Sequence, residues 1–200
     1  MLVIGITGPT GSGKGEVSRI FSSHGLPVLD ADVIYHQLLT PPSPCLNELV
    51  LFFGNEILNP DGTLNRRALG NIVFTDARAL ETLNHISHRF VMEEIRRRLE
   101  QYRAYGVQAA VLDAPQLFEA GANTDCNIIV AVLADPDLRM DRIMRRDGIA
   151  EDAALRRMSA QKSDEFFRKH ADYVIENNGN ADQLIPALRR ILSEMGVWQA

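Results

Sequence analysis

The stretch Gly8-Pro9-Thr10-Gly11-Ser12-Gly13-Lys14-Gly15 directly follows the apolar run Leu2–Thr7. A glycine-rich turn between a strand and a helix directs backbone N–H groups at a phosphate, and the helix N-terminus adds partial positive charge. Gly8, Gly13 and Lys14 have the spacing of the P-loop, the phosphate-binding loop of nucleotide triphosphate enzymes. The segment therefore predicts a nucleotide site at the end of the first strand.

The side chains at the end of this loop bear on how a nucleoside triphosphate and its Mg²⁺ would be bound. We expect Lys14 to reach the β- and γ-phosphates, and the N–H groups from Gly11 to Gly15 to bind the β-phosphate. The usual pattern places Ser or Thr after the lysine as a metal ligand, whereas this chain has Gly15. Waters, Asp32, Asp113 or Glu16 would then replace that ligand, and Glu16 is the weakest candidate because one helical step turns it about 100° from Gly15.

Composition limits the classes of protein to consider. The chain has 200 residues, 46% of them apolar, and a net charge of −5, which fits one domain and argues against nucleic acid as a partner. The N-terminal residues lack the basic start of a signal peptide, and no run approaches the ~20 apolar residues of a membrane span. We expect a cytoplasmic monomer that acts on small molecules and does not bind membranes, with its two cysteines reduced.

Short apolar runs alternate with helical patterns along the chain, which predicts an α/β fold with a parallel sheet. The five runs are Leu2–Thr7, Pro27–Leu29, Ala109–Asp113, Asn127–Ala134 and Tyr173–Glu176. We predict a three-layer fold of the P-loop NTPase type with five parallel strands, a helical substrate-binding insertion and a helical lid. Within one domain, 1–200, the nucleotide-binding core would cover 1–35 and 107–200, the insertion about 36–106 and the lid about 138–165.

Carboxylates follow two of these runs, at the sheet edge where α/β proteins bind ligands. Asp30 and Asp32 would both face the site if the chain stays extended, with Asp32 catalytic and Asp30 orienting it; alternatively, one of them caps a helix that begins near Ala31. Asp113 would lie beside the metal and its waters, or would cap a helix that begins before Pro115.

Four arginines lie within eight positions after the fourth run: Arg139, Arg142, Arg145 and Arg146. Helical spacing places them on a broad common face, from which they could close over a triphosphate as a lid. The alternative is a solvated basic helix face.

Several segments, in order along the chain, resemble those of the dephospho-coenzyme A kinase family. They are the P-loop and the segments Val28–Ile34, Gly62–Leu69, Leu83–His88, Asp113–Gly121, Arg142–Asp147 and Tyr173–Gly179. The resemblance covers nearly the full length of the chain. It implies ATP-dependent phosphorylation of the ribose 3′-hydroxyl of dephospho-coenzyme A.

The resemblance also implies roles for individual residues. Asp32 matches the general base, Lys14 the phosphate lysine, and Arg142 and Arg146 the lid arginines. Acceptor contacts would come from Asp32, Arg66, Arg67, His88 and Gln116, and Mg²⁺ contacts from Asp32 and Asp113. The nucleotide contacts would be Gly11, Ser12, Gly13, Lys14, Gly15, Glu16, Arg142 and Asn177. This chain departs from the family pattern at Gly15-Glu16, Gln116 and Arg89.

Two other functions remain open from the sequence. The P-loop does not name the acceptor, so a kinase for another nucleoside or nucleotide is possible. The absence of a hydroxyl at Gly15 also leaves open a nucleotide-binding protein without catalysis.

Overall fold

The computed structural model describes residues 1–179 and 181–197. Its centre is a five-stranded sheet in the order β2-β3-β1-β4-β5. The strands are β1 Leu2–Thr7, β2 Val28–Asp30, β3 Ala109–Asp113, β4 Ile128–Leu133 and β5 Tyr173–Glu176. The parallel sheet predicted from the sequence is confirmed, and each predicted strand lies within one residue of its observed bounds.

The central strand β1 pairs in parallel with β3 on one side and β4 on the other. In this register Ile6 is opposite both Asp113 and Val130. The end of β3 therefore lies beside the end of β1, from which the P-loop starts. This is the carboxyl edge of the sheet, where parallel α/β folds bind ligands.

Nine helices connect or flank the strands within the described residues. They are α1 Lys14–Ser23, α2 Ala31–Leu38, α3 Pro44–Phe53, α4 Arg66–Val73, α5 Ala77–Ala104, α6 Pro136–Asp147, α7 Glu151–Ser159, α8 Asp164–His170 and α9 Ala181–Glu194. Two short 3₁₀ turns cover Asn55–Ile57 and Ala122–Asp125. None of the described helices is long and apolar enough to cross a membrane.

The chain divides into two compact units, one of residues 1–29 and 101–200 and the other of residues 30–100. The first contains the P-loop and nearly all of the sheet. Its core is built from β1, α1 and α9, with Ile4, Phe21 and Leu188 buried. Burial of large apolar side chains on both faces of the sheet is the main source of its stability.

The second unit, residues 30–100, is helical and has its own core around Leu49, Ile57 and Ile86. Ser43 caps α3 by accepting a hydrogen bond from the Leu46 N–H at 3.0 Å. Asn65 caps α4 in the same way through the Ala68 N–H. The sequence predicted no clear strand at about residues 33–106, and none is found in that described range. An isolated antiparallel β-bridge joins Leu58 to Leu64.

Candidate active site

The P-loop connects β1 to α1, and its conformation requires glycine at the helix start. Gly13, the residue before α1, has a φ of 91°, in the left-handed region that glycine adopts without strain. A side chain there would also overlap the Asn177 amide nitrogen. The N–H groups of the first helical residues have no intrahelical acceptor, so they can donate to a phosphate.

Three side chains from other elements bind the carbonyl oxygens of this loop. Arg139 Nε donates to the Thr10 oxygen at 3.1 Å, and Arg142 Nη1 donates to the Gly11 oxygen at 3.2 Å. Asn177, which follows β5, donates from Nδ2 to the Ser12 oxygen at 2.8 Å. The shape of the loop is therefore set by α6 and by the end of β5.

Ser12 gives a separate indication that the loop binds a polar ligand. Its side chain is 1% exposed, and Oγ has no hydrogen-bond partner among the described residues. Burial of an unpartnered hydroxyl is unfavourable. A phosphate oxygen bound in the loop is the kind of group that would satisfy it.

Lys14, half-buried, forms a cluster next to the loop with the buried residues Asp113 and Ser18. Lys14 Nζ donates to Asp113 Oδ1 at 2.9 Å, and Ser18 Oγ donates to Asp113 Oδ2 at 2.5 Å. The helix-cap alternative for Asp113 is wrong, because turns follow Pro115 and the next helical residues start at Ala122. Sequence reasoning missed Ser18, although it lies four residues after Lys14 and so on the same face of α1.

The residues at this edge of the sheet fit Mg²⁺ bound with a nucleotide. The described residues contain no cluster of three metal-binding side chains. Mg²⁺ in nucleotide enzymes is usually bound by substrate phosphates, waters and one or two carboxylates, so such a cluster is unnecessary. Asp113, beside the phosphate lysine, is a suitable carboxylate. Gly15 offers no ligand, and a Cβ built there meets nothing within 4 Å.

The arginines of α6 differ in their surroundings. Arg139 is 5% exposed and forms an ion pair with Asp164 at 3.1 Å. Burial lowers the pKa of Arg139, and the Asp164 carboxylate opposes this shift. Arg142 donates from Nη2 to the Asn177 oxygen at 3.0 Å, and Arg146 pairs with Asp147 at 2.8 Å. Three of the four arginines, 139, 142 and 146, contact the P-loop, whereas Arg145 is exposed.

Asp30 and Asp32 have different roles in the local structure. Asp30 Oδ1 accepts hydrogen bonds from the N–H groups of Asp32 at 2.9 Å and Val33 at 3.0 Å. Asp30 is therefore the N-cap of α2, which confirms the alternative that one of the two carboxylates caps a helix that begins near Ala31. The expectation that both carboxylates project from an extended chain is wrong, because Asp32 is the second residue of α2. The side chain of Asp32 is exposed.

The predicted acceptor residues belong to both compact units. Arg66 and Arg67 are the exposed first two residues of α4, and Arg66 Nη1 lies 3.4 Å from His36 Nε2. His88 is half-buried on α5 in the same unit. Gln116 is exposed in the turns after β3, in the other unit.

Glu16, expected among the nucleotide contacts, forms an ion pair with Arg19 at 2.5 Å. A side-chain hydrogen bond from Arg19 lowers the pKa of Glu16. The carboxylate is thus engaged along the side of α1. This agrees with its low rank among the candidate metal ligands.

Comparison with solved structures supports the fold. A crystal structure of TT1252 from Thermus thermophilus has a TM-score of 0.82 and 34% identity, over 96% of this chain and 97% of that chain. A dephospho-CoA kinase from Campylobacter jejuni has a TM-score of 0.72 over 96% of each chain. Its 24% identity shows the fold alone. The predicted three-layer fold of P-loop kinases is confirmed.

Comparison with sequences identifies the family. A protein of Corynebacterium efficiens named dephospho-CoA kinase is 40% identical over 195 residues, which are 98% of each chain. The family described as dephospho-CoA kinase matches residues 2–183. The resemblance drawn from the sequence motifs is confirmed by both findings. With its P-loop, its Lys14–Asp113 ion pair and this match over almost its whole length, the chain belongs to the dephospho-CoA kinase family.

Proposed function

We propose that the chain transfers the γ-phosphate of ATP to the ribose 3′-hydroxyl of dephospho-coenzyme A, giving coenzyme A and ADP. The observation that carries this proposal is the family match over residues 2–183, because a P-loop alone does not name the acceptor. A kinase for another nucleotide and a non-catalytic binding protein are not favoured. Membership of the family argues against both, because the proteins named in the family match share the dephospho-CoA kinase name over almost the whole length of this chain.

The nucleotide side of the proposed reaction uses the first compact unit. The loop N–H groups and Lys14 bind the phosphates, and Arg142 and Arg146 stabilise the charge on the transferred group. Mg²⁺ bound with ATP would neutralise further phosphate charge, and Asp113 is the carboxylate of this unit that we assign to its side of the site. Phosphoryl transfer depends mainly on such positioning and electrostatic stabilisation.

We assign the part of the chain around α6 and α7, residues 138–165, to a lid over the phosphates. Arg139 anchors the start of this segment to the P-loop through Thr10, and its pairing with Asp164 makes it a support of the loop. Arg146 is more exposed and pairs with Asp147. Its guanidinium is therefore the more accessible of the two to an incoming phosphate.

The acceptor side uses the second compact unit, where α4 begins with two arginines. Cations at a helix N-terminus are locally unfavourable because they add to the positive end of the helix dipole. The first turn of α4 contains no acidic residue that would offset Arg66 and Arg67. This electrostatic arrangement favours an anion, such as the phosphates of dephospho-coenzyme A.

Asp32 is the group that we assign to the 3′-hydroxyl as general base. It is an exposed carboxylate, and its backbone N–H is already bound by Asp30. The capping by Asp30 fixes the start of α2 and therefore the position of Asp32 on it. An Asp32→Asn variant should retain ATP affinity and lose most of its turnover.

The acceptor distinguishes this proposal from the alternatives. ADP release should be measured with dephospho-coenzyme A, adenosine, AMP and other nucleoside monophosphates at equal concentrations. We expect turnover only with dephospho-coenzyme A. Turnover with another acceptor and none with this one would overturn the assignment, and ATP binding without any acceptor-dependent turnover would favour the non-catalytic alternative.

We also propose that the enzyme acts as a monomer, with small molecules as its substrates. The carbonyl oxygens of the P-loop accept hydrogen bonds from Arg139, Arg142 and Asn177 of the same chain. The net charge of −5 is unfavourable for binding a polyanion such as nucleic acid.

A further inference from the structure

Asp113 is a buried carboxylate whose two oxygens each accept a hydrogen bond. The residue is 5% exposed, with Lys14 Nζ at 2.9 Å from one oxygen and Ser18 Oγ at 2.5 Å from the other. Burial of a carboxylate is unfavourable unless its oxygens are bound, so both contacts contribute to keeping it in this place.

Both donors belong to one face of α1. Lys14 and Ser18 are four residues apart, which brings their side chains to the same side of the helix, where α1 packs against β3. One donor alone would let the carboxylate turn about its own axis. Two donors from a rigid helix define the carboxylate plane and, with it, the direction of the Lys14 ammonium group.

Ser18 also has the only side-chain hydroxyl in the segment Lys14-Gly15-Glu16-Val17-Ser18. Gly15 has no side chain, and the Glu16 carboxylate pairs with Arg19. Two side-chain groups with oxygen atoms are therefore left at the start of α1 and the end of β3. They are the Ser18 hydroxyl and the Asp113 carboxylate that it contacts.

We propose that Ser18 is a positioning residue that acts through Asp113. Its hydroxyl holds the carboxylate so that one oxygen faces Lys14 and the group keeps a fixed orientation toward the nucleotide-bound metal. Gly15 supplies no metal ligand in this chain, so the oriented Asp113 carboxylate is the protein group that would lie next to the metal and its waters. The expected loss of kcat rests on the proposed kinase function. The orientation of the Asp113 carboxylate by Ser18 rests on the contacts of Asp113 alone.

The test compares Ser18→Ala with Ser23→Ala, a serine-to-alanine change on the same helix. Ser23 is exposed, and its hydroxyl has only local contacts, with the Ile20 oxygen at 2.8 Å and with His24 Nδ1 at 3.2 Å. Loss of a group that orients a metal-side ligand typically reduces metal affinity or activity about 10- to 100-fold. We expect Ser18→Ala to lower kcat by about this factor with a change in KM for ATP below about threefold, and Ser23→Ala to match the wild type.

Calorimetric titration gives a readout that does not depend on turnover. ATP should bind to the wild type and to Ser18→Ala with equal affinity when the metal is chelated. In the presence of Mg²⁺, the Ser18→Ala protein should need about tenfold more metal to reach the same gain in ATP affinity. Ser18→Thr, which retains the hydroxyl, should restore both the metal requirement and kcat.

Two outcomes would overturn the proposal. One is a folded Ser18→Ala protein with unchanged metal requirement and unchanged kcat. The other is a Ser18→Thr protein that is folded and as impaired as Ser18→Ala. If the additional methyl group of Ser18→Thr prevents folding, Ser18→Ala and Asp113→Asn are measured singly and together. A double variant that is no more impaired than Asp113→Asn alone supports action through Asp113. A double variant whose loss is the product of the two single losses contradicts it.

The same titrations separate this inference from the proposed function. If the wild type does not phosphorylate dephospho-coenzyme A, the proposed function fails. The effect of Ser18→Ala on metal-dependent ATP binding remains measurable in that case. If the wild type is an active kinase and metal-dependent binding is insensitive to Ser18, only the inference about Ser18 fails.

Discussion

Gly13 and Gly15 are two positions apart, yet the structure predicts opposite tolerance to a side chain. Gly15 is helical, and a Cβ built there meets nothing within 4 Å. Gly13 has a positive φ of 91°, and a Cβ there would overlap Asn177. Gly15 is thus an open position for the hydroxyl that the usual loop pattern has, whereas Gly13 is required by the backbone.

We therefore expect Gly15→Ser to change the free energy of unfolding by no more than about 0.5 kcal/mol, since serine is the better helix former. Gly13→Ala should lower it by at least about 1 kcal/mol, because an L-residue is strained in the left-handed region. Urea denaturation of both variants measures the difference. Equal stability of the two variants would contradict the described loop conformation.

The two cysteines should be unreactive in the folded protein. Burial, with a smaller contribution from Glu48, raises the pKa of Cys45 to about 11. Burial, assisted by Asp125, raises the pKa of Cys126 to about 12. The thiolate is the reactive form, so both thiols are almost fully protonated at neutral pH.

An aromatic disulfide reagent at pH 8 should therefore modify neither cysteine quickly in the native protein and both in guanidinium. The thiols of the unfolded chain ionise near their usual pKa of about 8.5, below the folded values. Their contribution to stability is thus complete below about pH 8 and is lost as the pH rises toward the folded pKa values. Rapid modification of the native protein would contradict the burial of these side chains.

The individual site residues were predictable where the sequence motif itself determines position. Lys14 ends the loop that follows β1, and Asp113 is the last residue of the neighbouring strand β3. Their proximity therefore follows from the parallel sheet. Ser18 was missed because a serine inside a helix carries no motif, and its role depends on the packing of α1 on β3. Asp30 and Asp32 have different roles because α2 begins between them, at Ala31. The sequence does not determine this start, since either carboxylate could cap a helix.

Among the helices, α6 carries the arginines that bind the carbonyl oxygens of the P-loop. Arg139 is buried against Thr10 and Asp164, whereas Arg145 on the same helix is exposed. Removal of Arg139 would leave the Thr10 carbonyl and the Asp164 carboxylate without this donor. The first turn of α6 therefore supports the loop, and its last turn is more accessible.

Arg139→Ala should lower the free energy of unfolding by about 2 kcal/mol. This loss is smaller than for a fully buried ion pair, because the partner Asp164 is partly exposed. Arg145→Ala is the matched control and should change it by less than about 0.5 kcal/mol. Chemical denaturation of the two variants provides the comparison. If Arg145→Ala proved as destabilising as Arg139→Ala, the assignment of Arg139 to the loop would be wrong.

The strands were easier to predict than the helices of residues 30–100. Each strand is a short apolar run that ends at polar or turn-forming residues, because both faces of a parallel sheet are covered. In the helical unit, α2 to α5 bury only one face each, so the apolar pattern is interrupted and the ends depend on caps. Ser43 and Asn65 are such caps, but many other Ser and Asn residues in the chain are not.

At the scale of the whole molecule, the residues assigned to ATP phosphates and the arginine assigned to the acceptor lie in different compact units. Variants in each unit can therefore test the binding of each substrate separately. The P-loop belongs to the unit of residues 1–29 and 101–200, and Arg66 to the unit of residues 30–100. The sequence predicted a helical insertion at about 36–106 from the absence of a clear strand and from the helical periodicity of the apolar residues after Arg67. The compact unit begins and ends a few residues earlier, because α2 and most of α5 contribute to its packing.

Arg66→Ala should raise KM for dephospho-coenzyme A about tenfold or more, the effect of losing a charge-assisted hydrogen bond, and leave KM for ATP nearly unchanged. Arg97→Ala is a suitable control, since Arg97 is exposed in the same unit and pairs with Glu94. Steady-state kinetics with each substrate varied in turn give both constants. Equal increases in both KM values for Arg66→Ala would contradict its assignment to the acceptor.

The central claim is the transfer of the ATP γ-phosphate to one particular hydroxyl. The direct measurement is incubation of the wild-type protein with Mg²⁺, dephospho-coenzyme A and ATP labelled at the γ-phosphate, followed by isolation of the product. We predict a labelled product that co-elutes with coenzyme A and loses its label to a 3′-nucleotidase. Label on any other position, or release of the label only as inorganic phosphate, would contradict the account.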